Sequence, residues 1–270
     1  MHPFVLLICL LGLTSANPGS PPSNRYFDIY PFLGFHEPVS SITHFITAIL
    51  IATFSYKLFA RCKDKQAVVG CALYVFGACF SMSMSGVYHM LRPYTTSRAV
   101  LRRLDHAAIF TMISGTFTAL HVVSFKTFLY RWLLVIFVGT VSVTSITLKT
   151  IFFKHLGDSI LMGALYVAIG WIAVISVIML WKTHHDRKPI IYLFVGGISY
   201  TVGAIIEGFF QSVLTIIPGV IHAHEVFHFF IMAGAYYHFK AILYCLNNFH
   251  AQNAKEKQYE AQGSELGEFV

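Results

Sequence analysis

The chain has 270 residues, of which 56% are hydrophobic and 11% charged, with a formal net charge of +7 and a mean hydropathy of +0.65. Soluble domains carry about a quarter charged residues, so this composition excludes a water-soluble globular protein. It does not describe a nucleic-acid binder either: the basic residues fall in short clusters between apolar stretches, as in Arg61–Lys65, Arg98–Arg103 and Lys182–Lys188, where anionic lipid headgroups are the expected neighbours.

From the N-terminus, Phe4 to Leu13 is an apolar run followed by the small residues Thr14, Ser15 and Ala16. It resembles a signal peptide that lacks the positive n-region, and a cleaved signal, a tucked membrane segment and a plain tail all fit it. Asn17 to Asn24 is rich in Pro, Gly and Ser and reads as a linker. Residues 1–35 are therefore expected to form an N-terminal tail. The rest of the chain up to Asn247 is a series of apolar stretches of about 20 residues, the length that crosses a bilayer core. Their patterning predicts helices at roughly 40–61, 67–91, 104–125, 131–152, 158–181, 189–212 and 219–246. Residues 36–247 are thus expected to be an all-α, polytopic seven-transmembrane-helix bundle, an integral protein of a plasma or inner membrane. Beyond Asn247 the chain turns polar, and 248–270 is expected to be a disordered tail. Cys9, Cys62, Cys71, Cys79 and Cys245 form no CxxC pair, which indicates neither a disulfide framework nor a cysteine metal site. Basic residues lie on both sides of the bundle, so charge counting does not orient it.

Ionisable side chains inside spans are costly and mark functional candidates. The second helix ends Ser85-Gly86-Val87-Tyr88-His89, which puts Ser85 and His89 on one helical face. The third opens on Leu104-Asp105-His106, and the seventh carries His224 and His228 at i and i+4. Adjacent turns of one helix can offer both imidazoles to a single metal. With seven spans, the end of the second helix and the starts of the third and seventh all face one side of the membrane. Ser85, His89, Asp105, His224 and His228 are therefore expected at one depth, in one site. Three histidines with an open position are the ligand set of a catalytic zinc. Asp105 suits a general base and Ser85 an orienting group. His44, His106, His121, His222 and His238 keep the ordinary reading of a membrane histidine, a hydrogen-bond partner between helices. Glu207, near the same end of helix six, is a further acid able to pair with a histidine.

Glu37-x6-His44, Ser85-x3-His89, the run Arg102-Arg103-Leu104-Asp105-His106-Ala107-Ala108-Ile109-Phe110 and His224-x3-His228 resemble the hemolysin III branch of the progestin and adipoQ receptor family. The likeness covers residues 35 to 246 in order and spacing. It implies a seven-helix bundle with zinc near the cytoplasmic face, held by His89, His224 and His228, with Asp105 against the metal's water and Ser85 beside it. It also implies a kinship with metal-dependent membrane hydrolases, ceramidase-type lipid amide hydrolysis being the activity proposed for adiponectin receptors. One departure is that Glu37-Pro38-Val39-Ser40 stands where the family often places an asparagine.

Four functions follow as expectations. The first is a zinc-dependent hydrolase of a lipid amide or ester, with membrane lipids as partners and substrates. The second is a receptor or signalling protein in which zinc is structural and Asp105 closes its fourth position. The third, an intramembrane metalloprotease, arises because His224-Glu225-Val226-Phe227-His228 matches HExxH. Proteases of that type add an aspartate ligand on a later helix, and this chain has no aspartate after Asp186. The fourth, a pore-forming cytolysin, rests on the family name, without an amphipathic secreted segment to support it.

Overall fold

The computed structural model describes residues 29–151 and 160–252. The signal-like run at Phe4–Leu13, the linker at Asn17–Asn24 and most of the tail after 247 lie outside the described residues. Among those described, seven helices are long and apolar enough to cross a membrane: α1 Pro38–Phe59, α2 Lys65–Met90, α3 Thr96–Ser124, α4 Phe128–Ile151, α5 Ala164–His184, α6 Arg187–Phe209 and α7 Ala223–His250. The chain is thus an all-α, multi-pass integral membrane protein.

The starts of α3 and α7 differ from the patterning, each for a local reason. Helix α3 begins eight residues before the expected 104 because Thr95 caps it, its Oγ1 accepting from the Arg98 amide at 3.2 Å. The polar turns from Thr96 to Arg103 are helix, though nothing in their hydrophobicity says so. Helix α7 begins at Ala223 rather than 219. The residues before it form a small antiparallel hairpin, β1 Thr215–Ile217 with β2 Ile221–His222. The His222 amide donates to Glu225 Oε2 at 3.0 Å and closes a capping box that starts the helix there.

Helix α3 is the hub of the bundle. In its most apolar window 67% of residues are buried, against 17–44% for the other spans, whose outward faces are left for lipid. One apolar cluster joins α1, α2, α3 and α7 through Ile51, Tyr74, Met82, Leu120 and Ile242. A smaller one joins α3, α4 and α5 through Phe110, Phe117, Val138 and Ile169. Helices α2 and α3 touch backbone to backbone at two glycines. A Cβ on Gly77 would fall 2.5 Å from the Thr111 carbonyl oxygen, and one on Gly115 would fall 2.6 Å from that of Leu73. In lipid, where apolar surface gains little by leaving its solvent, such close approach is a main source of helix association. It also fixes the end of α2 beside the start of α3, and hence the site.

Candidate metal centre

His89 occupies the last turn of α2, and His224 and His228 the first two turns of α7. Their rings meet. His224 Nε2 lies 3.2 Å from His89 Nε2 and 3.1 Å from His228 Nε2. Four ligands around a zinc-sized ion at about 2.0–2.1 Å stand about 3.3 Å apart along each tetrahedral edge. The spacing fits ligation of one ion, and His89, His224 and His228 together form a group that could hold a metal. His89 and His228 are buried, and His224 is partly open.

Two of the three rings are oriented from behind by a carboxylate. His89 Nδ1 is paired with Glu37 Oε2, and His224 Nδ1 lies 3.1 Å from Glu207 Oε2. A carboxylate on the outer nitrogen holds the proton there and turns the Nε2 lone pair toward the ion. Glu37 is held in turn by Arg98, which reaches its Oε1 and also donates to the Leu91 carbonyl. Burial would raise the Glu37 carboxyl, but His89 and Arg98 outweigh it and hold the group ionised, at about 2. Glu207 receives a second bond from Gln211 Nε2 at 2.6 Å. Such outer partners are worth about 10–100-fold in metal affinity. Glu207→Ala is therefore expected to weaken metal binding by about that factor in a chelator-competition titration; an unchanged affinity would reduce Glu207 to a bystander.

Asp105 sits on the first half of α3, where its carboxylate takes a hydrogen bond from the Ser85 hydroxyl and feels the charges of His224, Lys149 and Arg102. Lys149, on the last turn of α4, is fully buried. It donates to the Tyr166 hydroxyl, which donates to the His106 carbonyl at 3.1 Å. The structure therefore brings Ser85, His89, Asp105, His224 and His228 to one end of the bundle.

Other residues take non-ligand places. His44 stacks on His228 with ring centroids 3.8 Å apart and forms a wall of the site. His121 lies at the other end, bonded to the Tyr130 carbonyl at 2.7 Å and Ser176 Oγ at 2.8 Å, a link between helices as its reading supposed. His238 packs on Gly196. In the HExxH run, Glu225 has both oxygens engaged, one by the His222 amide and the other by Ser40 Oγ at 2.7 Å. That carboxylate caps α7 and ties it to α1, and no reacting water is needed to explain it.

Sequence reasoning missed Arg98 and Lys149, and did not pair Glu37 with His89. Arg98 and Lys149 read as cations of the connections. The usable signal for Lys149 was its place inside the expected helix 131–152, on the site side of the membrane, whereas Arg98 lies in polar turns that are helix because Thr95 caps them.

Comparison with known proteins identifies the family of the chain. Residues 33–239 match the family model described as Haemolysin-III related. The chain is similar to hemolysin-3 of Bacillus cereus, 26% identical over 217 residues that cover 77% of this chain and 90% of that protein. It is also similar to the hemolysin-3 homolog of Bacillus subtilis (strain 168), 30% identical over 151 residues, 56% of this chain and 65% of that protein. The match runs from the turn before Glu37 into the seventh span, so it takes in every residue of the centre. The chain belongs to the haemolysin-III related family, which is the progestin and adipoQ receptor family.

Proposed function

We propose that the protein is a zinc-dependent membrane hydrolase that cleaves an amide or ester bond in a lipid. The observation that carries this reading is the convergence of three imidazole Nε2 atoms at 3.1 and 3.2 Å beside the half-buried carboxylate of Asp105. When bound, zinc supplies a Lewis acid and lowers the pKa of water to about 7. Asp105 would take a proton from the water that adds to the carbonyl carbon. It would return the proton to the leaving nitrogen or oxygen as the C–N or C–O bond breaks, giving a carboxylic acid and an amine or alcohol. Ser85 holds the Asp105 carboxylate in position. Glu37 and Glu207 hold His89 and His224. The centre lies where spans end, at the depth of a lipid's carbonyl groups, so a substrate would reach it without leaving the bilayer.

A second reading has one observation in its favour. Asp105 and His224 interact electrostatically, so Asp105 could close the fourth position of a structural zinc in a receptor. Asp105→Asn separates the two, read by metal content and by hydrolysis of ceramides and simpler lipid amides and esters. Loss of a general base costs about 10²–10⁴-fold in rate. The hydrolase reading expects that loss with metal retained, whereas the receptor reading expects weaker metal binding and no hydrolysis in the wild type. Metal-replete wild type that cleaves none of these lipids would sink the first reading.

A further inference from the structure

Two stretches outside the spans carry no formal charge at all, residues 29–36 before α1 and residues 210–222 between α6 and α7. Both are apolar and open. Leu33 is 80% exposed, Val213 72% and Ile216 59%, with Phe32 and Ile217 also outward. The stretches are joined to each other and to the site side of the bundle. The Tyr30 amide donates to the Gly219 carbonyl at 2.9 Å, and the His36 amide to the Met90 carbonyl at 3.3 Å. Together with the exposed Tyr94 of the 91–95 connection they form a collar on the side where His89 and His224 sit.

Water gives this collar no reason to exist. A two-stranded hairpin is marginal by itself in water, and here all three residues of β1 are exposed. Leu33 stands in the left-handed region, φ 50°, at the tip of a turn, a conformation a bulky side chain adopts at a cost. Among the described residues its side chain is left 80% exposed, with little burial to offset that.

A lipid boundary accounts for both features. The collar adjoins the exposed apolar residues of the neighbouring span ends, Phe209 among them. Several of its amides are satisfied internally, which eases entry into an apolar medium: Phe32 and Phe35 bond each other at 3.0 and 2.9 Å, the Val220 amide bonds the Ile217 carbonyl at 3.0 Å, and the Leu214 amide bonds that of Phe210 at 2.9 Å. The exposed Arg92 beside it suits anionic headgroups.

We propose that this collar is a lipid-binding surface, seated about 5–10 Å into the headgroup–acyl boundary of the phospholipid leaflet on the metal-centre side. It sets the mouth of the centre, at His224 and Glu207, at carbonyl depth, and it does so whether or not the centre turns over a substrate.

The test uses the full chain in nanodiscs of phosphatidylcholine and phosphatidylglycerol. Leu33→Cys and Ile216→Cys, in a background with the native cysteines replaced, carry a nitroxide label. Collisions with oxygen, which concentrates in the bilayer, are compared with those of a water-soluble nickel chelate. Oxygen should dominate several-fold at both positions and nickel at Lys63→Cys, in the connection on the opposite side. Nickel dominating at both collar positions would overturn the proposal by placing them in water. Shielding from both reagents would overturn it equally, by placing residues 1–28, a second copy or another protein over the collar. Because labelled variants can misfold, the unmodified protein is also treated with a lipid-soluble diazirine. Label on peptides covering 29–36 and 210–222 is expected, and label confined to the spans would count against the collar.

Discussion

Replacing His224 and His228 together by alanine should take the metal content of the purified protein from about one zinc per chain to none, with the helices intact. These two residues would supply two of the three imidazoles able to hold it. His89 alone, even with Glu37 behind it, is left as a single imidazole, which does not hold a divalent ion against ordinary buffers. The fold should survive because the core that joins α1, α2, α3 and α7 does not include these side chains. Metal analysis of wild type and double variant, with circular dichroism as the control, decides the matter. A folded wild type without a stoichiometric metal, or a double variant that keeps it, would remove the basis for the hydrolase and the structural-zinc readings alike.

Arg98→Met should lower stability by about 3–5 kcal/mol, the cost of removing one partner of a buried ion pair. Arg98 and Glu37 are both about 95% buried, and Glu37 would be left as an anion with only His89 facing it. The helix adds to the cost of keeping Arg98 where it is. A cation in the first turn opposes the macrodipole, and in α3 that opposition is met by the Glu37 carboxylate and the Leu91 carbonyl. The double variant Glu37→Gln/Arg98→Met should be less destabilised than Arg98→Met, because no charge is then orphaned. Thermal unfolding in detergent measures both. If Arg98→Met unfolded with the wild type, the pair would be a surface contact and the first two turns of α3 would need another anchor.

Much of the architecture was legible because a bilayer imposes a coarse rule. A span needs about 20 apolar residues, and every backbone group must be satisfied within it. Seven such runs were expected, and the described residues form seven helices long and apolar enough to span. The starts of α3 and α7 were less legible, since Thr95 and His222 set them by local hydrogen bonds that hydropathy does not register.

The histidines were legible for a related reason. A polar ring in a span is expensive, spacing of four puts His224 and His228 on one face, and the odd number of spans puts His89 on the same side of the membrane. Sequence by itself therefore determined the class, the seven spans and which residues share a depth. Only the tertiary structure decided which of them touch. The approach of α2 to α3 at Gly77 and Gly115, and of α7 to α1 through Glu225 and Ser40, sets the separations at which three Nε2 atoms converge. The same packing turns Arg98 and Lys149 from apparent surface cations into buried partners of the site. Depth in the membrane follows from position along one helix, whereas contact depends on packing between helices distant in the chain.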